Sequence, residues 1–215
     1  MRLSNDGGDK MNYIRRRKLP IVLDQQEAEK LLSIPDTRYI TGIRGKAVLA
    51  LMLNCGLRVS EVCDLKLSSV NLAKGKLRVV NGKGGVDRDL IIQPYTVSLL
   101  TAWIAVRPPT DCSYFFTTIK DNPAANRFAA VKGTRMKVRC VQSLVPRYAR
   151  KMKRYDITPH TLRHTFATDF IRQGGSVLIL QRILGHADIS TTLIYIQLAN
   201  IDVEKGMNGR KEITG

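Results

Sequence analysis

The chain has 215 residues, enough for one substantial core, and its 44% apolar content is ordinary for a globular protein. Thirty-five Lys and Arg against 18 Asp and Glu leave a net charge of +17, the balance of a protein that meets a polyanion, with nucleic acid the first candidate. A membrane span is not expected, because the longest apolar run, AVLALML at 47–53, is too short to cross a bilayer, and no apolar stretch follows the basic N-terminus as in a secretion signal.

Residues 1–20, with Gly7-Gly8 and the run Arg15-Arg16-Arg17-Lys18, read as a flexible basic arm. The fold should begin near Pro20. Asp24 and Glu27 form a capping-box pattern ahead of a short amphipathic helix, QQEAEKLLS. A longer helix is expected over about 37–54, stopped at Gly56, and VSEVCDLKL reopens as a short helix with Ser60 as its cap. The period then changes: KLRVV and RDLII flank the Gly-rich NGKGGVD, which predicts an antiparallel hairpin over 76–92. Helical period returns from Pro94 through Trp103, and SYFFTT is expected as an edge strand.

Between 120 and 155 eleven Lys or Arg face one acid, Asp121, with much of that charge on a helix near 134–152. Arg127, Lys132, Arg135, Lys137, Arg139, Arg147, Arg150 and Lys151 are therefore the candidate contacts to DNA phosphates. Three more helices are expected at about 159–173, 176–184 and 190–199, followed by a C-terminal tail over 200–215. Cys55, Cys63, Cys112 and Cys140 include no C-x-x-C pair, so neither a zinc site nor a disulfide framework is indicated and a reducing cytoplasm is expected. The fold class is mainly α with a small antiparallel β-sheet.

ITPHTLRHTFATDFI, residues 157–171, places two histidines and an arginine in the first turns of a helix. Thr158 is a good N-cap and Pro159 a good first residue, so His160 and Arg163 stand where free N–H groups and the helix dipole favour an anion. The dipole also favours a neutral imidazole at His160, able to relay a proton. A metal reading of His160 and His164 fails, because no carboxylate accompanies them and Arg163 repels a cation, so no metal or other cofactor is expected. His164 reads as structural, and Phe166, Ala167 and Phe170 as core anchors.

Other stretches accompany this one. GLRVSE holds Arg58 and Glu61, NGKGG holds Lys83, and ILGHADISTTLIYIQ holds His186 and, nine residues on, Tyr195. With HTLRHTFAT, this set strongly resembles the tyrosine recombinase (phage-integrase) family in motif order and spacing over about 21–199, which would be a catalytic domain. The resemblance implies catalytic roles for Arg58, Lys83, His160, Arg163, His186 and Tyr195, with Glu61 orienting a histidine or the arginines. It implies double-stranded DNA as partner, tetramers on paired sites, and a tail that docks on a neighbouring protomer. Relatives often have a further lysine after the Gly-Lys-Gly, where this chain has Val86 and Asp87 before Arg88. They also carry a separate DNA-binding domain ahead of the catalytic one, so this chain is expected to be either a catalytic-domain fragment or a short member that grips DNA weakly alone.

The implied chemistry is attack by Tyr195 on a phosphodiester, giving a 3′-phosphotyrosine that stores the bond energy until religation. A phenol of ordinary pKa is only about 0.1% ionised at pH 7, a deficit of roughly 4 kcal/mol. Two arginines on the non-bridging oxygens, each worth about 3 kcal/mol as preorganised donors, would match it. Lys83 would protonate the departing 5′ oxygen, His160 would assist with the tyrosine proton, and His186 would hydrogen-bond the phosphate. Two alternatives stand beside site-specific recombination: a type IB topoisomerase-like nicking-closing enzyme, and a catalytically silent DNA-binding regulator on the same fold.

Overall fold

A computed structural model describes residues 19–80, 87–119, 132–185 and 192–200. The arm to residue 18, Lys83, Arg127, His186 and the tail beyond 200 lie outside the described residues.

Helix α1 (Gln25–Ser33) opens on the expected capping box: the Asp24 carboxylate accepts the Glu27 N–H at 2.8 Å, and the Glu27 carboxylate accepts that of Asp24 at 3.1 Å. Helix α2 (Ile40–Cys55) is the central element, buried on all sides from Ala47 to Leu53, as an all-round apolar helix must be. It starts later than the expected residue 37 because Asp36 instead folds a local turn, accepting the N–H and the guanidinium of Arg38. Gly56 ends it in the left-handed region, φ 63°.

Helix α3 (Val59–Asp64) does not use Ser60 as its cap. Arg58 occupies the cap position and its N–H is taken by the Glu61 carboxylate at 2.8 Å. A carboxylate in the first turn is a stronger acceptor than a hydroxyl and also suits the positive end of the helix.

The expected hairpin forms from β2 (Lys76–Val79) and β3 (Arg88–Ile91), and β1 (Val70–Asn71) adds a third antiparallel strand in the order β1-β2-β3. Two residues are too few for any alternation to show in the sequence, which is why the pattern does not announce β1. Leu77 pairs with Leu90 and Val79 with Arg88, so one face carries all four inward.

SYFFTT is not an edge strand; its only pairings among the described residues are isolated bridges, Lys66 to Tyr114 and Thr117 to Arg135. The period of two is broken there, since residues 115–119 are buried consecutively. Phe115 and Phe116 instead meet Trp103, whose indole N–H donates to the Phe115 carbonyl at 2.9 Å.

Helix α4 (Pro94–Val106) packs on α2. Helix α5 (Val138–Lys151) is amphipathic, with Val141, Leu144, Val145 and Ala149 inward and Arg139, Arg147, Arg150 and Lys151 exposed. Helix α6 (Pro159–Arg172) packs on α2, and α7 (Val177–Leu184) on α6. A last helix, α8, covers 192–200. Beside the main core lies a smaller cluster of Ala167, Leu180, Leu184, Tyr195 and Leu198, flanked by Phe166, Phe170 and Ile171. The fold is therefore mainly helical with a small antiparallel sheet, as the sequence pattern leads one to expect. All four cysteines stand free, with Cys55 and Cys63 buried.

Candidate active site

Four helix ends and the start of β3 converge on one carboxylate. Glu61 accepts from Arg58 at 2.9 Å and from both terminal nitrogens of Arg88 at 3.0 and 2.9 Å, and Arg163 lies 3.8 Å away. Burial alone would raise the Glu61 pKa, but the hydrogen bonds and charge of Arg88, the Arg58 N–H and the charge of Arg163 outweigh it and hold the group below the ordinary carboxylate range. Glu61 is therefore ionised, and its partners among the described residues are the arginines.

The same arginines also close the end of α7. Arg88 Nε donates to the Ile183 carbonyl, Arg163 to that of Leu184 at 2.6 Å, and Arg58 to that of Gly185 at 3.4 Å. These carbonyls stand at a helix C-terminus, where few have an intrahelical partner and the dipole is negative, so guanidinium groups are their natural complement. Arg163 makes a second such bond to the carbonyl of Gly56, the cap of α2, at 2.6 Å. Burial and then the neighbouring Arg58 pull its pKa down to about 10, which still leaves it cationic at neutral pH. Gly185 has φ 61°, and a Cβ there would lie 3.2 Å from an Arg88 nitrogen and 3.8 Å from one of Arg58.

Tyr195 is 2% exposed, and its hydroxyl lies 2.9 Å from His164 Nδ1. Burial raises its pKa against the lowering influence of Arg163 and Arg58, so the resting phenol is protonated. Burial, with the charges of His160 and Arg163, pushes His164 down to about 4, so its imidazole is neutral and able to accept the phenol's proton in a hydrogen bond. His164, which reads from sequence as structural, is thus the histidine among the described residues in contact with Tyr195, a pairing across 31 residues that no local pattern announces.

Of the sequence-derived set, Arg58, Glu61, Arg163 and Tyr195 come together. Thr158 caps α6 as expected, exchanging hydrogen bonds with Thr161, and His160 lies exposed in the first turn. On the basic segment, Arg135 is half-buried and held by protein groups, paired with Asp64, donating to the Cys63 carbonyl and lying over the Tyr114 ring at 5.5 Å. Lys132, Arg139, Arg147, Arg150 and Lys151 are exposed, and Lys137 is half-buried. No group of three potential metal ligands stands together among the described residues.

Arg88 is the functional candidate that sequence reasoning passes over. The strand RDLI alternates buried and exposed, which puts Arg88 on the inward face with Leu90. An arginine at an inward strand position requires a buried partner, and that is the available signal.

Residues 22–201 match the phage integrase family. Tyrosine recombinase XerA of Pyrococcus horikoshii is 32% identical over 197 residues, which are 92% of this chain and 64% of that protein. The chain thus spans under two thirds of that relative's length. A crystal structure of XerA recombinase superposes with a TM-score of 0.73 at 30% identity, covering 90% of this chain and 67% of the other. The XerH site-specific recombinase, solved bound to difH substrate as a pre-cleavage complex, gives a TM-score of 0.66 at 25% identity, over 83% of this chain and 51% of the other.

Proposed function

The chain belongs to the phage integrase family, and from that premise we propose that it is a site-specific DNA recombinase working through a covalent 3′-phosphotyrosine. The observation that carries the reading is the convergence of Arg58 and Arg163, far apart in sequence, on one buried carboxylate, with Tyr195 close enough for both of their charges to act on its phenol. In this reading the Tyr195 oxygen attacks the scissile phosphorus, the phosphotyrosine bond forms, and the bond to the 5′ oxygen breaks. Arg58 and Arg163 neutralise charge on the non-bridging oxygens. Lys83 gives the leaving oxygen its proton, and His186 hydrogen-bonds the phosphate. His160, exposed in the first turn of α6, and His164, bonded to the phenol, are the candidate acceptors for the tyrosine proton.

Double-stranded DNA is the proposed partner, supported by the net charge of +17 and the exposed arginines of α5. Self-association on paired sites is the finer part of the reading. It is supported by the exposed Ile91, Leu178 and Ile179 on β3 and α7, where we seat residues 200–215 of a second copy.

The test is a pool of nicked suicide duplexes with randomised centres, from which covalent protein–DNA adducts are recovered under denaturing conditions and sequenced. Wild type should enrich one sequence, and Tyr195→Phe should form no adduct; an adduct persisting in that variant removes Tyr195 as nucleophile. On supercoiled plasmid, relaxation without any need for paired sites would favour the nicking-closing alternative.

A further inference from the structure

We propose that Arg88 is a positioning residue for the cleavage step, holding Arg58 and Arg163 in the geometry that receives the scissile phosphate. The inference rests on the function proposed above. Its basis is the number of constraints that meet on this one side chain. Both terminal nitrogens of Arg88 engage both oxygens of Glu61, a bidentate contact that leaves the carboxylate plane little freedom. The same carboxylate receives the Arg58 guanidinium and backbone N–H, so the orientation of Arg58 follows from that of Glu61. The third nitrogen, Nε, donates to the Ile183 carbonyl, the residue before the carbonyl that receives Arg163.

Arg88 thus reaches each of the other two arginines through one shared partner, Glu61 for Arg58 and the last turn of α7 for Arg163. It is itself buried at the first residue of β3, so it also ties the sheet to the site. Three guanidinium groups against one carboxylate leave a local charge of +2. A phosphodiester carries one negative charge and its pentacoordinate transition state close to two, so the cluster matches the transition state better than the ground state. Removing Arg88 halves that excess and frees Glu61 to turn toward the remaining pair. Lysine in its place would keep the charge and lose the fork.

The test uses the duplex recovered in the adduct selection, with wild type and Arg88→Lys compared in thermal unfolding, duplex affinity and single-turnover adduct formation. Each is run on the natural phosphate and on a neutral methylphosphonate at the scissile position. Arg88→Lys should bind duplex as wild type does and form adduct roughly 100-fold more slowly, the scale of a small misplacement of catalytic groups. The deficit should shrink on the methylphosphonate, where less charge develops for Arg58 and Arg163 to stabilise. If Arg88→Lys does not fold, Arg88→Met carries the same comparison, because Arg58 and Arg163 still compensate Glu61. A variant as fast as wild type overturns the inference, and so does a deficit equal on both substrates, which a purely structural role would produce. A wild-type chain that forms no adduct on any duplex overturns the proposed function itself.

Discussion

The contact between His164 and Tyr195 places a neutral imidazole against a protonated phenol inside a small apolar cluster. Among the described residues, Tyr195, His160 and Arg163 are the titratable groups that act on that imidazole. Burial first, and then the charges of His160 and Arg163, lower its pKa from 6.5 to about 4. Between those values the unfolded chain binds a proton at this site and the folded chain does not, so the contribution to stability is present above about 6.5 and is lost as the pH falls toward 4. Glu61, also depressed, adds to acid sensitivity only below its ordinary 4.5. Thermal unfolding measured from pH 7 to pH 4.5 should therefore show a falling midpoint in wild type and a flatter curve in His164→Asn. Parallel curves would mean that another group titrates.

At the scale of elements, the site is made from helix ends. The C-termini of α2 and α7 present carbonyls, the cap and first turn of α3 present Arg58 and Glu61, the second turn of α6 presents Arg163, and α8 brings Tyr195. Gly56 is critical to this junction twice over: its φ is 63°, and a Cβ would lie 2.4 Å from the Phe166 ring. Gly174 also has a positive φ, 83°, but a Cβ there meets nothing within 4 Å. Gly174→Ala should cost about 1 kcal/mol, the left-handed penalty alone, and Gly56→Ala about 2 kcal/mol or more, because an aromatic anchor must move. Urea unfolding measures both; equal losses would show that Phe166 yields without cost.

For the whole molecule, the charge asymmetry predicts which face a duplex would meet. Arg139, Arg147, Arg150 and Lys151 stand exposed on α5, whereas Arg135 is half-buried and already engaged by Asp64 and the Cys63 carbonyl. Replacing Arg147, Arg150 and Lys151 together by Gln should weaken duplex binding. It should also make the log–log salt dependence shallower by about 0.9 for each phosphate that is no longer neutralised. Affinity titrations over a range of salt would decide it, and an unchanged slope would place the DNA on another face. Arg135→Gln should lower stability more than it changes that slope.

Local chemistry is readable from the chain: the capping box at Asp24, the N-cap at Thr158, the left-handed stop at Gly56, the strand periods of β2 and β3, and the grouping of Arg58, Glu61, Arg163 and Tyr195 by the resemblance of their motifs to those of the family. These depend on neighbours a few residues apart, or on a spacing preserved as a pattern. Three things are decided only by tertiary packing. Consecutive burial of Phe115 and Phe116 against Trp103 replaces an expected strand; Arg88 becomes a partner of Glu61; and His164 meets Tyr195. Each joins residues whose partners lie on other elements, and a buried charge or hydroxyl takes whichever partner the packing brings within hydrogen-bond reach.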